Sequence, residues 1–336
     1  MIFAEHPLDE AEGVYNAHMI RCGKRTFKKG QVLNRDDLAL MGENGLSAIQ
    51  GARLEAGDVP EDQAALRVAE MILGANIEPH PAKTARCNLY AQERGLLVID
   101  AAAINRINLV SEAVTIATIP PWSIVEPGDI VATIKIIPFA IPQHLLRTIG
   151  ALAPAIDPPL SVRPFLGKRA ALLLTESSFV VQHVIDRSID ATRQRLAAVR
   201  GSLDFIHVCA HEDAAIRDAF HKARASGCDL ILVAGASVTK DRKDVIPGAL
   251  TSIGGEVLHF GMPVEPGNMM LLGRFQDVPV LVLPGCARSV RENGVDLILQ
   301  RLAVGLEVTP EDVMGMGVGG LLERKRKSSF DEQPGK

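Results

Sequence analysis

The stretch Ala234–Asp244, AGASVTKDRKD, sets two carboxylates (Asp241, Asp244) and two hydroxyls (Ser237, Thr239) beside the small residues Ala234, Gly235 and Ala236. It follows directly on the apolar run Leu230-Ile231-Leu232-Val233. Small side chains let a ligand approach the backbone, and unpaired N–H groups where a helix starts favour phosphate oxygens. Ionised carboxylates repel a bare phosphate but reach it through a divalent cation such as Mg2+. Asp241 and Asp244 are therefore the candidate metal and catalytic residues, and Gly235, Ser237 and Thr239 the candidate ligand contacts. A second reading stands beside this one: Asp244 caps a helix that starts at Val245, with Pro247 in its first turn.

Two further loops combine turn residues with polar groups. In Leu283-Pro284-Gly285-Cys286-Ala287-Arg288-Ser289 another apolar strand runs into small residues and an expected helix. Pro284 and Gly285 shape the turn, Arg288 offers a fork to phosphate or is an ordinary surface charge, and Ser289 caps the helix or holds an anion. Phe260 to Met270 is rich in Gly and Pro, with Pro266-Gly267 at its centre. Its methionines, Met262, Met269 and Met270, read as core filler rather than as a cofactor box.

These loops need strands and helices to hold them. Ala170–Leu174, Phe205–Cys209, Leu230–Val233 and Val278–Leu283 are short apolar strands. They alternate with helical patterns over 180–199, 213–225, from Val245, and from about Ser289 to Val304. That alternation predicts βαβ units and a doubly wound, mostly parallel sheet of the α/β class, binding ligands beyond the carboxyl ends of its strands. The first half is less regular. A helix over 60–73, strands at 95–100 and 114–119, and a tight Pro-Gly turn feeding a long strand within 125–138 predict an additional N-terminal α+β domain. The organisation expected is an α+β domain of unassigned role over 1–152, a proline-rich linker over 153–167, the α/β domain over 168–310 and a flexible basic tail over 311–336.

The 336 residues are 47% apolar, enough for two compact domains. A net charge of −4, spread over both signs, gives no electrostatic case for nucleic acid. The basic run Arg324-Lys325-Arg326-Lys327 reads as a solvated tail or as an arm for an anion or partner. Five cysteines with no CxxC spacing suggest neither zinc nor a disulfide framework, and no apolar stretch is long enough to span a membrane. A cytoplasmic location is expected. His207 and His211 are the histidines at an i,i+4 interval, but His207 lies in a strand, so the pair shares no helix face.

Taken in order, the three loops resemble the molybdopterin-binding domain of molybdopterin adenylyltransferases and molybdopterin molybdenumtransferases. In the latter the loops run roughly TGGVSxGDxD, MxPGKP and LPGNPxS. Gly235, Ser237 and Asp241 match the first loop, with Asp244 one residue beyond its second aspartate. Pro266 and Gly267 match the second, and Leu283, Pro284, Gly285 and Ser289 the third. Ala170 to Glu176 is similar to the family's first strand and the threonine after it. The resemblance covers about residues 168–310. It implies a molybdopterin-binding protein of molybdenum-cofactor biosynthesis, binding a pterin phosphate or its nucleotide adduct. Adenylyl or molybdate transfer assisted by Mg2+, self-association, and a molybdoenzyme or cofactor-pathway protein as partner are also implied. Ala234 and Ala236 stand where the family has Thr and Gly, Asn268 where it has Lys, and Cys286-Ala287 where it has Asn-Pro. Those departures favour a carrier that binds the cofactor without transforming it. A nucleotide-binding regulator on the same fold is the third reading.

Overall fold

The computed structural model describes residues 1–153, 158–177 and 182–322. The chain forms two compact units, Met1–Pro164 and Phe165–Lys336. The basic run after Glu323 and the middle of the expected linker, 154–157, lie outside the described residues, as do the first residues of the helix expected from Val180.

Unit 1 is built from small sheets and short helices. A three-stranded sheet pairs Ala48–Arg53 with Ile2–Pro7 and Tyr15–Asn16. A four-stranded antiparallel sheet runs in the order Val114–Thr118, Ile130–Ile136, Arg86–Ala91, Ile77–Pro79. One face of it is apolar because Cys87, Leu89 and Ala91 alternate inward with Ile134 and Ile136. They pack on Ala65, Val68, Ala69 and Ile72 of the helix Glu61–Ile72. The outer face carries Arg86, Asn88, Tyr90, Thr133 and Lys135.

The expected linker over 153–167 is corrected in part. Leu160–Pro164 is a strand, antiparallel to Gly95–Ile99, with Leu160 and Val162 fully buried in the unit 1 core. Pro158 and Pro159 precede this strand and Pro164 is its last residue, so its interior keeps its ladder N–H groups.

The hairpin between Ile77–Pro79 and Arg86–Ala91 turns through Thr84 (φ 50°) and Ala85 (φ 64°). Positive φ at both central positions is the pattern of a type I′ turn, which favours Asn-Gly and penalises a β-branched residue. Surrounding bonds hold it. Lys83 and Arg86 exchange both backbone hydrogen bonds (3.0 and 3.1 Å), and the Ala85 N–H donates to Asp62 Oδ1 (2.7 Å). Thr84→Gly is expected to raise stability by about 0.5–1 kcal/mol, read as a higher urea midpoint at unchanged m.

Unit 2 carries the three loops. Its elements are β1 (Arg169–Glu176), α1 (Gln182–Ala198), β2 (Ser202–Ala210), α2 (Asp213–Ala225), β3 (Leu230–Ala234), α3 (Val245–Ser252), β4 (Glu256–Phe260), β5 (Leu271–Phe275), β6 (Val278–Leu283) and α4 (Gly294–Ala303). They build one six-stranded sheet in the order β2-β1-β3-β6-β5-β4. The first four of these strands are parallel, while β5 and β4 continue antiparallel at one edge. β1 and β3 need no polar alternation because both faces are covered. Ala171, Leu173, Ile231 and Val233 turn to the core shared with Phe220 of α2 and Leu250 of α3. The chain leaves β1 for β2 on one side and returns to β3 on the other, so the sheet has its switch point between β1 and β3.

Candidate functional site

At the carboxyl end of the sheet, Ala234 of β3 stands opposite Leu283 of β6 in register. The two loops that leave these adjacent ends therefore run side by side. Gly235, Ser237 and Val238 of one, with Pro284, Gly285 and Arg288 of the other, line one shared cavity, whose wall is completed by Ser188 and Thr192 of α1. The cavity holds only about 20 Å³, the room of a single water. Arg288 closes it: its Nη2 donates to the Gly235 carbonyl (2.9 Å) and ties the two loops together. Gly235 is required by close approach. A Cβ there would meet the Ser237 carbonyl oxygen at 2.7 Å and Ile246 Cδ1 at 2.9 Å.

The aspartates do local work. Asp244 caps α3, with Oδ1 accepting from the Val245 N–H (2.8 Å) and Oδ2 from the Lys240 N–H (3.1 Å). Asp241 is exposed, and its Oδ1 accepts from the Lys243 N–H (2.7 Å). Thr239 is buried. Among the described residues no group of three or more His, Cys, Asp or Glu side chains could hold a metal ion. The expectation of Mg2+ on Asp241 and Asp244 finds no third such ligand beside them among the described residues, and Asp244 has both oxygens, Asp241 one, bound to backbone N–H groups.

The third loop differs from the expectation at its helix. Residues Gly285–Arg288 form a short 3-10 turn, and α4 begins only at Gly294, capped by Asn293 in a capping box with Asp296. Ser289 is therefore no helix cap. It is exposed, and its carbonyl accepts from Arg195. Asn293 wins because its short amide reaches the Val295 N–H (2.9 Å) while Asp296 returns a bond to the Asn293 N–H (2.8 Å).

Pro266 and Gly267 lie apart from the shared cavity. The Gly294 N–H donates to the Pro266 carbonyl (2.8 Å), and a Cβ on Gly267 would fall 2.5 Å from the Gly294 nitrogen. Expected as cofactor contacts, the two residues dock the loop on the start of α4. Met262 and Met270 are buried as core filler.

Sequence reasoning missed two groups. Arg195 of α1 is buried and reaches into the third loop. Nη1 donates to the Ala287 carbonyl (2.8 Å), and Nη2 donates to those of Ser289 (2.6 Å) and Arg291 (2.9 Å). Its Nε lies 2.8 Å from Asp296 Oδ1, whose carboxyl is pushed up by burial against the pull of that guanidinium. The signal available was an arginine on the apolar stripe of an amphipathic helix, which must find partners when buried. The second group lies at the switch point. The Ala236 N–H donates to Thr175 Oγ1 (2.8 Å), and that hydroxyl is 2.8 Å from His211 Nδ1. Cys286 reaches solvent, yet desolvation by the loop around its sulfur pushes the thiol up, so it is held as the thiol rather than as a nucleophilic thiolate.

A larger cavity of about 540 Å³ opens at the amino ends of the same strands, lined in part by Lys168, Leu196, Leu230, Leu272 and Leu299. Its leucine floor is already buried, and Arg224 and Arg274 at its rim are paired with Asp277 and Glu256. Polar groups from both loops distinguish the loop end of the sheet, which makes it the candidate site.

No helix among the described residues is long and apolar enough to cross a membrane. No protein-family model matches the chain, and no curated protein matches it. Among solved structures it aligns with a molybdopterin biosynthesis moea protein from Pyrococcus horikosii, at 15% identity over 74% of this chain and 80% of that one, with a TM-score of 0.33. It also aligns with the tungsten cofactor synthesizing protein MoaB from Pyrococcus furiosus, at 16% identity over 43% of this chain and 94% of that one, with a TM-score of 0.30. A molybdopterin biosynthesis protein from Mycobacterium abscessus gives 13%, 41%, 92% and 0.25 for the same measures. Each of these alignments is at low identity and low TM-score.

Proposed function

We propose that unit 2 is a molybdopterin-binding domain of molybdenum-cofactor biosynthesis, on a doubly wound sheet, and that the paired loops 235–244 and 284–289 receive the anionic end of a pterin phosphate. One observation carries this reading. Ala234 and Leu283 end adjacent parallel strands in register, so both loops face one cavity with a guanidinium across its mouth. A phosphate that displaces Arg288 from the Gly235 carbonyl gains a charge-assisted fork in return. Gly235, Ser237, Pro284, Gly285 and Arg288 are the residues that hold it; the exposed Val238 and Val290 stand on the same two loops. The cavity as it stands holds a single water, so the terminal phosphate enters only once Arg288 has left the Gly235 carbonyl. Pro266 and Gly267 act by docking their loop, and Ser289 by its exposed hydroxyl.

Between transfer and carriage, the helix cap made by Asp244 and the turn bond made by Asp241 favour carriage. Both carboxylates are bound to their own backbone, and no step is assigned to a metal there. The test is equilibrium binding of molybdopterin to the full chain under anaerobic conditions. Wild type should bind, and Arg288→Glu should weaken binding on the order of 10–100-fold by reversing the charge at the mouth. Absence of binding by the wild-type protein would defeat the proposal. Turnover with ATP or molybdate that is abolished in both Asp241→Asn and Asp244→Asn would replace the carrier by a transferase.

A further inference from the structure

The outer face of the four-stranded sheet in unit 1 holds an unusual row of charges. Arg86 stands directly opposite Lys135 on one neighbouring strand and opposite Lys83 across the hairpin turn. Like charges facing each other across strands repel and destabilise the pair. Among the described residues none of the three makes an ion pair with a carboxylate. Lys135 instead donates to the Thr84 carbonyl, and its charge favours ionisation of the Glu61 carboxyl, which burial opposes.

The turn that sets Lys83 against Arg86 is itself costly, because Thr84 and Ala85 both lie in the left-handed region. A fold that maintains backbone strain and like-charge repulsion at the same spot, with the conformation locked by Asp62, is arranged for something outside the chain. A counter-anion supplies what is missing.

The same face supplies more than charge. A cavity of about 280 Å³ is lined by His80, Pro81, Lys83, Arg86, Asn88 and Tyr90. The His80 and Tyr90 rings pack with centroids 4.0 Å apart and are tilted 33° to each other, and the His80 side chain is 55% exposed, so the imidazole offers a planar surface to a further ring. Beside it the Thr133 hydroxyl donates to Asn88 Oδ1 (2.9 Å), which fixes the Asn88 side chain next to the cations.

We propose that this face, from the Lys83–Arg86–Lys135 row to the His80–Tyr90 ring pair, binds a phosphate ester carried on a planar heterocycle. The cations take the phosphate, the exposed His80 ring takes the heterocycle, and Asn88 lies between them. The site is contained in unit 1 and does not rest on the reading given to unit 2.

The test is calorimetric titration of the full chain with ADP, and with adenosine and inorganic phosphate as separate arms. The wild-type chain should bind ADP saturably, with affinity falling as salt rises. Adenosine and inorganic phosphate should each bind at least tenfold more weakly. A pterin monophosphate in place of ADP reports which heterocycle is preferred, and tighter binding by either supports the site. Lys83→Gln with Arg86→Gln should weaken binding at least tenfold while the ligand-free melting temperature holds or rises, because repulsion has been relieved. A purely structural role for the row would lower that temperature. His80→Ala should weaken ADP more than inorganic phosphate, and Arg288→Glu in unit 2 should leave ADP binding at the wild-type level. Failure of both organic phosphates to bind saturably overturns the proposal. So does equal binding by inorganic phosphate or adenosine, or indifference to the double substitution.

Discussion

Replacing Arg195 by Met should destabilise unit 2 by about 3–5 kcal/mol, the usual cost of removing one partner from a buried, hydrogen-bonded ion pair. The guanidinium supports three carbonyls of the 287–291 loop and faces the half-buried Asp296. Methionine fills much of the volume but leaves those carbonyls without a donor and the carboxylate without its counter-charge. The pH dependence identifies the cause. Asp296 is already raised by burial and would rise further once Arg195 is gone. A carboxyl raised in the folded state favours folding when protonated. Its contribution is fully present below the unfolded pKa and is lost as pH rises through the folded one. The deficit of Arg195→Met should therefore grow from acid to neutral pH, read as urea midpoints against the wild-type chain. A deficit that stayed constant with pH would assign the loss to packing alone. If unit 2 binds molybdopterin as proposed, that binding should fall as well, since the loop bearing Gly285 and Arg288 loses its support.

Gly267→Ala should cost roughly 2–5 kcal/mol, from backbone strain and overpacking together. The residue has φ 133°, a region L side chains rarely enter, and the added methyl would sit 2.5 Å from the Gly294 nitrogen. No flexible side chain can yield there, because the obstacle is the backbone at the start of α4. The loop should lift from that helix and break the bond from the Gly294 N–H to the Pro266 carbonyl. Thermal melting and hydrogen exchange at Gly294 report both effects. A variant as stable as wild type would show that the 266–267 turn is not clamped as described. Ala at Gly285 makes a useful control, because the nearest atom to its Cβ is Val238 Cγ2 at 3.8 Å.

Much of unit 2 was legible in the amino-acid order. The α2 span 213–225 and the β6 span 278–283 agree with the expected ones, and β1 and β3 extend the expected runs by a few residues. These elements declare themselves because local periodicity and burial on both faces act over a few neighbouring residues. The placement of two loops beside each other also follows from strand-to-helix alternation, once β3 and β6 are neighbours. The antiparallel β5 and β4 at the sheet edge left no comparable mark, since strand direction is decided by the path of the connecting chain.

What the residues of the site do was less accessible. An aspartate before a helix is compatible with a cap and with a metal ligand, and only the loop path brings the Lys240 and Val245 N–H groups to Asp244. Ser289 and Asn293 both suit a helix start, and a 3-10 turn over Gly285–Arg288 moves that start to Gly294. The partners of Arg195 lie more than ninety residues along the chain, and those of Gly267 lie on another element. By itself the sequence determined the alternating elements, the anion-friendly composition of the loops and the glycines that allow close approach. The tertiary structure alone decided which polar groups are spent on caps and anchors and which remain for a ligand. Hydrogen-bonding capacity belongs to a residue type, whereas its use depends on whatever the fold brings within about 3 Å.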